Sequence, residues 1–175
     1  FAMYHVDPDH KEREFLTLDE LTAMTEIKLE DPNMAFARDL FIFGCWAGIS
    51  FIDIKNLTED NISMINGAPW IVSKRQKTGV PFQIKLMDIP MQIIGRYKAF
   101  RKGSHLFNIG NLDSINKRIK KVAAMCGIKK RVSFHVSRHS WAVLALEYGM
   151  PIESVSKILG HTNITTTQIY AKVTS

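Results

Sequence analysis

The stretch LGHTNITTTQIYAKV (residues 159–173) joins a helix end, a histidine and a run of threonines to a tyrosine nine residues after that histidine. Gly160 is typical of a residue that ends a helix, so the stretch predicts a turn followed by a helix that carries Tyr170. A tyrosine on an apolar helical face is usually core filler whose hydroxyl reaches a surface partner. More than this stretch is needed to give the tyrosine a chemical role.

A second stretch, FHVSRHSWAVLALEYG (residues 134–149), places two histidines and an arginine at the start of an apolar helix. His135 and Arg138 are three residues apart, so they share a helical face and point at one ligand. The helix N-terminus also favours an anion. His135 and His139 have the spacing of zinc ligands, but the glutamate of a zinc-protease helix is missing and Arg138 would repel a metal. The stretch therefore predicts an anion site with no metal, and a structural role for His139.

Local signals outside these stretches predict further helices in the first part of the chain. TLDEL (residues 17–21) is a capping box that opens a helix running to about Leu29. A second helix follows Pro32 and stops at Gly48, and SFIDIKNL (residues 50–57) forms another short helical turn.

The hydrophobic period then changes from helical to strand-like. In residues 61–86, turns at Asn66-Gly67 and Thr78-Gly79 separate two or three short antiparallel strands. Helices resume after Pro90. The predicted fold class is mainly α with a small antiparallel β-sheet (α+β). The later helices have Gly127, Gly149 and Gly160 as C-terminal stops and Pro151 as a first helical residue.

Length and composition are those of one soluble globular domain. The chain has 175 residues, close to half of them hydrophobic and about a quarter charged. Its two cysteines, Cys45 and Cys126, lie inside apolar helical patterns and are interpreted as free thiols of a reducing compartment. No apolar run is long enough to span a membrane.

The net charge of +6 and the pI of about 9.4 indicate an anionic partner, most simply nucleic acid. Basic residues concentrate in KRIKKVAAMCGIKKR (residues 117–131), where almost no acid is interspersed. A solvated helix face is the alternative, but phosphate contact is favoured. The predicted DNA-binding residues of this stretch are Lys117, Lys120, Lys121, Lys129, Lys130 and Arg131.

Taken with GISFIDIKNLTEDNI (residues 48–62) and RQKTG (residues 75–79), the two opening stretches resemble the tyrosine recombinase (phage integrase) family over nearly the whole chain. The resemblance implies the helical catalytic-domain fold of that family for residues 16–175. Residues 1–15 would be the remnant of an interdomain linker, and the family's N-terminal DNA-gripping domain would be absent from this chain.

The resemblance also implies a set of catalytic residues. Tyr170 would attack a DNA phosphodiester and form a 3′-phosphotyrosyl enzyme, while Arg138 clamps the non-bridging phosphate oxygens. His135 would accept or relay the tyrosine proton, and His161 would hydrogen-bond the phosphate. Lys77 would protonate the departing 5′-oxygen. The reaction needs no cofactor and no metal.

One position departs from the family pattern. Ser50 stands where the family usually carries an arginine, which some integrases of bacterial mobile elements also lack. Asp53 matches the acid that supports the site. Loss of this arginine should cost several kcal/mol of transition-state stabilisation unless another cation replaces it. Arg38, on the preceding helix, is the first candidate replacement, although it could equally be a solvent-facing cation. Lys74 and Arg75 are weaker candidates and are also predicted to bind DNA.

Three functions are compatible with these residues: a mobile-element integrase, a type IB topoisomerase-like nicking and resealing enzyme, and a catalytically impaired DNA-binding accessory protein. The partner is double-stranded DNA, in the bacterial cytoplasm, with no membrane. The full-length protein is expected to form a tetramer on DNA. Because five residues follow Tyr170, this chain is expected to be a monomer that binds DNA weakly and salt-sensitively, with its tyrosine helix mobile or displaced from the catalytic pocket.

Overall fold

The computed structural model describes residues 14–161 and 164–174. Within these ranges the chain forms eight α-helices and one three-stranded antiparallel sheet, which confirms the predicted fold class. Most of the predicted linker remnant lies outside the described residues.

The first three helices begin at capped N-termini. Helix α1 (Leu18–Glu26) opens on the predicted capping box, in which Thr17 and Glu20 exchange side-chain-to-backbone hydrogen bonds. Helix α2 (Pro32–Ala47) is capped by Asp31, and α3 (Phe51–Lys55) is capped by Ser50. A 3₁₀ turn (Glu59–Asn61) then leads into the sheet. Helix α1 ends three residues before the predicted Leu29, because the chain turns extended at Ile27.

The sheet contains strands β1 (Ile62–Ile65), β2 (Ala68–Lys74) and β3 (Pro81–Lys85) in sequential order. Ile65 pairs with Ala68 across the two-residue Asn66-Gly67 turn, and both turn residues have positive φ. This is the geometry of a tight hairpin turn, as the sequence predicts.

Five helices complete the fold. They are α4 (Asp88–Tyr97), α5 (Leu112–Met125), α6 (His135–Glu147), α7 (Ile152–Leu159) and α8 (Ile164–Thr174), with a 3₁₀ turn (Lys98–Phe100) after α4. Gly127, Gly149 and Gly160 all have positive φ at helix ends, as predicted. Pro151 caps α7 from one position outside it rather than opening the helix.

Helix α2 is the central element and packs against α1, α4, α5 and α6. Its closest approach to α6 occurs at two glycines one helical turn apart. A Cβ on Gly44 would lie 2.5 Å from the Ser137 hydroxyl, and one on Gly48 would lie 2.4 Å from the Trp141 ring. Only glycine lets the end of α2 pack this tightly on α6, and this contact positions the functional site described below.

Arg38 lies inside this core and corrects one expectation. It is 9% exposed, its Nε donates to Asp39, and its Nη1 donates to the carbonyls of Met24 and Ile27 near the end of α1. The guanidinium thus satisfies carbonyls that the end of α1 leaves unpaired. Arg38 is therefore not solvent-facing, and its guanidinium is engaged by groups of the core.

Asp39 gathers three donors in the same core, which leads to a prediction about stability. Its buried carboxylate accepts hydrogen bonds from Arg38, Arg96 and the Tyr97 hydroxyl. Burial and this bond to Asp39 raise the pKa of Tyr97. We expect Asp39→Ala to lower the free energy of unfolding by about 3–5 kcal/mol, because it leaves a buried charge without its partner. Urea unfolding followed by circular dichroism measures this loss.

The matched control for this prediction is Glu59→Ala. Glu59 pairs with Arg101, but its side chain is 56% exposed. The Arg101 side chain is 12% exposed, but the Glu59 carboxylate itself stays in contact with solvent, so its loss should cost less than that of Asp39, at about 1 kcal/mol. Equal losses for the two variants would contradict a structural role for the Asp39 cluster.

Candidate active site

The start of α6 brings together the first three side chains of the site. The Phe134 amide donates to the Asn116 side chain at 2.7 Å, which fixes the beginning of α6 against α5. His135 is exposed, Arg138 is half-buried and His139 is 8% exposed. The exposure of these three side chains therefore decreases along the first turn of α6, from His135 to His139.

Four of the predicted catalytic side chains surround one small cavity of about 80 Å³. Helix α8 packs against α6 and α7 and buries Tyr170 to 5% exposure. The expectation that the tyrosine helix is displaced from the pocket is therefore wrong. The cavity is lined by His135, Arg138, His139, Leu159, His161 and Tyr170.

Arg138 is held by two backbone carbonyls. Its Nε donates to Gly48 at 3.1 Å and its Nη2 donates to Leu159 at 2.7 Å. Burial, reinforced by the neighbouring charge of Arg75, lowers the pKa of Arg138 to about 10, so the guanidinium stays cationic at neutral pH. A half-buried cation beside a second cation is a favourable place for an anion.

His161 is linked to the tyrosine helix. Gly160 ends α7 with φ of 75°, and the His161 ring nitrogen Nδ1 lies 2.6 Å from the Thr167 hydroxyl. Thr167 is fully buried on α8, three residues before Tyr170, so the two share a helical face. The threonine run therefore couples the His161 ring to the helix that carries Tyr170.

Ser50 and Asp53 connect α3 to the hairpin between β2 and β3. The Ser50 hydroxyl donates to Asp53 Oδ2 at 2.8 Å, and the Gln76 amide donates to Asp53 Oδ1 at 2.8 Å. Ser50 thus supplies no positive charge but helps to hold Asp53. Asp53 in turn anchors the hairpin beside the site.

Arg75 enters the site from this hairpin. It is 7% exposed, and its guanidinium carbon lies 5.1 Å from the centre of the Phe82 ring. Its side chain runs directly over Gly160, where an added Cβ would lie 2.5 Å from Arg75 Nε. Burial lowers the pKa of Arg75, and the nearby charge of Asp53 opposes that shift.

The guanidinium of Arg75 is incompletely bonded. Among the described residues, neither its Nε nor its Nη2 has a hydrogen-bond partner, although both atoms are buried. Buried donors without partners are costly and mark places where a ligand can bind. Arg75 lies close enough to Arg138 for its charge to lower the Arg138 pKa, and it packs on Gly160, next to His161, although it does not itself line the small cavity. The predicted role of Arg75 in binding DNA is therefore restricted to a buried position beside Arg138 rather than the open surface.

Lys77 and Lys74 are both exposed. Lys77 lies in the turn between β2 and β3, whose base is closed by hydrogen bonds between Arg75 and Val80 and between Gly79 and Arg75. The anchored base and the exposed tip leave the Lys77 side chain on the surface beside the site. The structure gives Lys77 no contact with the other predicted catalytic residues.

A basic cleft adjoins the small cavity. It has a volume of about 560 Å³ and reaches from His135 and His139 to the N-terminal half of α5. Lys117, Lys120 and Arg131 line it, together with Asp113 and Glu14. Lys121 and Lys129 are exposed but do not line this cleft.

Lys130 departs from the predicted DNA-binding set. Its Nζ donates to the Phe15 carbonyl at 2.9 Å and to Glu20 at 2.7 Å. These bonds attach the segment before α1 to the loop after α5. Lys130 is therefore an internal tether rather than a free cation for phosphate.

From the sequence, Arg75 ranked below Arg38 as the replacement for the missing arginine, and His139 had only a structural role. Alternate residues of a strand point to the same side. Arg75 follows Ile71 and Ser73 at this two-residue spacing, so the alternation could have indicated that Arg75 points inward. His139 follows His135 by one helical turn, but nothing in the sequence shows that its ring contacts Tyr170.

No group of three or more histidine, cysteine, aspartate or glutamate side chains in the described part of the chain could hold a metal ion. Cys45 and Cys126 are free thiols, as predicted. Helices long and apolar enough to cross a membrane are absent from the described ranges.

Comparisons with known proteins give the family. A sequence model described as the phage integrase family matches residues 14–175. The chain is 47% identical over 180 residues to the tyrosine recombinase XerC of Natranaerobius thermophilus, covering 94% of this chain and 60% of that protein. It is 44% identical over 167 residues to a tyrosine recombinase of Pseudothermotoga lettingae, covering 91% of this chain and 56% of that protein. The chain thus spans less than two thirds of these relatives.

Solved structures give the same fold. A XerH site-specific recombinase bound to a palindromic difH substrate matches with a TM-score of 0.80 and 18% identity, covering 98% of this chain and 53% of that one. A lambda integrase dimer bound to a COC′ core site matches with a TM-score of 0.70 and 18% identity, covering 91% of this chain and 59% of that one. The chain therefore belongs to the phage integrase family and has the fold of a tyrosine recombinase catalytic domain.

Proposed function

We propose that this chain is the catalytic part of a site-specific DNA recombinase that cuts and rejoins a DNA strand through a 3′-phosphotyrosyl link to Tyr170. One observation carries the proposal: Tyr170, His135, Arg138 and His161 line one cavity. Tyr170 is the nucleophile in this proposal. The other three side chains accept the tyrosine proton or bind the phosphate.

In the cleavage step, the Tyr170 oxygen attacks the phosphorus and the bond to the 5′-oxygen breaks. A tyrosine hydroxyl is ordinarily protonated near neutral pH, so it needs a base and a positive field. His135 accepts or relays the proton, and the charge of Arg138 attracts a negative charge on Tyr170. Attack by a 5′-hydroxyl on the phosphotyrosine reverses the step and reseals a strand.

Two guanidinium groups bind the phosphate in this proposal. Arg138 clamps non-bridging oxygens, and Arg75 supplies the charge that the family pattern would place at Ser50. The support for Arg75 is its burial and its unpaired Nε and Nη2 beside Arg138. His161, oriented by Thr167, donates to the phosphate as its charge redistributes. This second cation weighs against a catalytically impaired accessory protein.

Double-stranded DNA is the proposed substrate, and its path runs along the basic cleft. The cleft lies next to His135 and is lined by Lys117, Lys120 and Arg131. These cations can bind the DNA phosphates on either side of the one that is cut. The solved relatives include recombinases bound to difH and to a COC′ core site, each on its own DNA. We propose that the full-length protein acts as a tetramer on DNA.

The proposal is tested by covalent capture from a DNA pool. Nicked duplexes with a randomised core are incubated with the chain, and the reaction is stopped with detergent. Loss of the short fragment beyond the nick traps the phosphotyrosyl enzyme. We expect a denaturant-resistant adduct on selected sequences, whereas no adduct at any protein concentration would contradict the proposed chemistry.

A further prediction concerns Lys77 as the acid that protonates the leaving 5′-oxygen. Lys77→Ala should slow cleavage of ordinary DNA by about 100-fold or more, as loss of a general acid does. A substrate with sulfur in place of the 5′-bridging oxygen should restore the rate, because a thiolate leaves without a proton. The measurement is the single-turnover cleavage rate of the variant on the ordinary and the sulfur-containing duplex, both with a sequence selected in the covalent-capture experiment.

The matched control is Lys85→Ala, which removes an exposed lysine from the same sheet. It should leave the rates on both substrates close to those of the unmodified chain. If the sulfur substrate fails to restore Lys77→Ala, then Lys77 is not the acid.

A further inference from the structure

His139 lies between the rings of two proposed catalytic residues. Its ring centroid is 4.6 Å from that of His135 at an interplanar angle of 78°, and 5.6 Å from that of Tyr170 at 43°. His139 lines both the small cavity and the basic cleft. Its ring is therefore part of the wall between the place of chemistry and the proposed DNA path.

The orientation of this ring is fixed from outside α6. His139 Nδ1 lies 3.3 Å from the Glu14 carbonyl oxygen. A carbonyl only accepts hydrogen bonds, so Nδ1 carries the proton in this contact. Rotation of the imidazole about its own bond would break the contact.

The carbonyl that holds His139 is itself fixed. We call residues 14–16 the leading segment, and three hydrogen bonds attach it to the domain. The Leu16 amide donates to Ser140 Oγ at 2.9 Å, the Arg131 amide donates to the Glu14 carboxylate at 2.9 Å, and Lys130 Nζ donates to the Phe15 carbonyl at 2.9 Å. The leading segment therefore holds the imidazole in one orientation.

We propose that His139 is a positioning residue, whose ring, held by the Glu14 carbonyl, keeps the Tyr170 ring in place for attack. The proposal rests on the proposed role of Tyr170 as nucleophile. His139 acts through Tyr170 and His135 by contact and takes no part in proton transfer. The leading segment thereby becomes part of the structure that sets the position of the nucleophile.

The physical reason is the sensitivity of attack to distance. A misplacement of about 1 Å at a reacting centre can cost about 100-fold in rate. Tyr170 sits on α8, and the His139 ring occupies the space into which the Tyr170 ring would otherwise shift. A residue that works through the contact of its ring should be replaced in part by another ring that lacks the bond to the Glu14 carbonyl.

The test measures DNA affinity and the single-turnover rate of adduct formation on a nicked duplex whose sequence was selected in the covalent-capture experiment. His139→Ala should lower the rate by about 100-fold and leave the dissociation constant close to its original value. His139→Phe, which keeps a ring but loses the contact with the Glu14 carbonyl, should recover part of the lost rate. The control Val143→Ala removes a buried side chain of α6 that does not line the small cavity, and it should lower the Tm without a comparable loss of rate.

Each result bears on the proposal. A rate for His139→Phe as low as that of His139→Ala, at an unchanged Tm, would overturn it, because the ring itself would then contribute nothing to the position of Tyr170. Unchanged rates in both variants would also overturn it. An adduct that survives Tyr170→Phe would instead contradict the proposed function, so the two failures are distinguishable.

Discussion

Replacing Tyr170 with phenylalanine is expected to abolish covalent attachment of the chain to DNA. The change removes one hydroxyl from a side chain that is 5% exposed and keeps the ring that packs beside His139. A swap that conserves the shape of a buried ring leaves packing nearly intact. Detergent-stable adducts on captured nicked duplexes should therefore disappear, while non-covalent binding stays within a few-fold of the original affinity.

A second tyrosine serves as the control for this result. Tyr148 is 69% exposed at the end of α6, and Tyr148→Phe should leave adduct formation unchanged. Persistence of the adduct in Tyr170→Phe, with mass spectrometry locating DNA on another residue, would remove Tyr170 from the mechanism.

Local signals in the sequence predicted the elements well because each has a short-range physical cause. The capping box at Thr17 and Glu20 satisfies helix donors within one turn, and the Asn66-Gly67 pair favours the positive φ of a tight hairpin. These preferences act over a few residues, so they can be seen without the fold. The same holds for the glycines that end helices.

Roles that depend on distant partners were harder to predict. Arg38 looked available, yet it bonds to carbonyls near the end of α1 through a packing that no local pattern encodes. Lys130 belonged to a basic run, but Glu20 and Phe15 bind it from far along the chain. The grouping around Tyr170 was predicted because a family resemblance supplied the long-range information. The position of Arg75 differs from the family pattern and required the structure.

Arg75→Ala is expected to lower the single-turnover cleavage rate by about 100- to 1000-fold, comparable to the loss of one oxyanion donor. The reason is that Arg75 has buried donors without partners among the described residues and places its charge near Arg138, where we propose that the phosphate binds. Arg75→Lys should recover only part of the loss, because an ammonium keeps the charge but lacks the planar fork of a guanidinium. Rates are measured at saturating protein on captured nicked duplexes, so that changes in affinity do not enter.

Two comparisons separate this role from simple structural damage. Arg38→Ala should destabilise the fold, since it breaks the Asp39 pair, and yet the protein that remains folded should cleave at a rate close to the original. Ser50→Ala should also cost far less than Arg75→Ala, because Ser50 supports Asp53 without contributing charge. If Arg75→Ala cleaved as fast as the unmodified chain while Arg38→Ala lost activity without losing stability, the replacement for the missing arginine would be Arg38 after all. The buried, fully engaged guanidinium of Arg38 and the underbonded guanidinium of Arg75 make the opposite result the expected one.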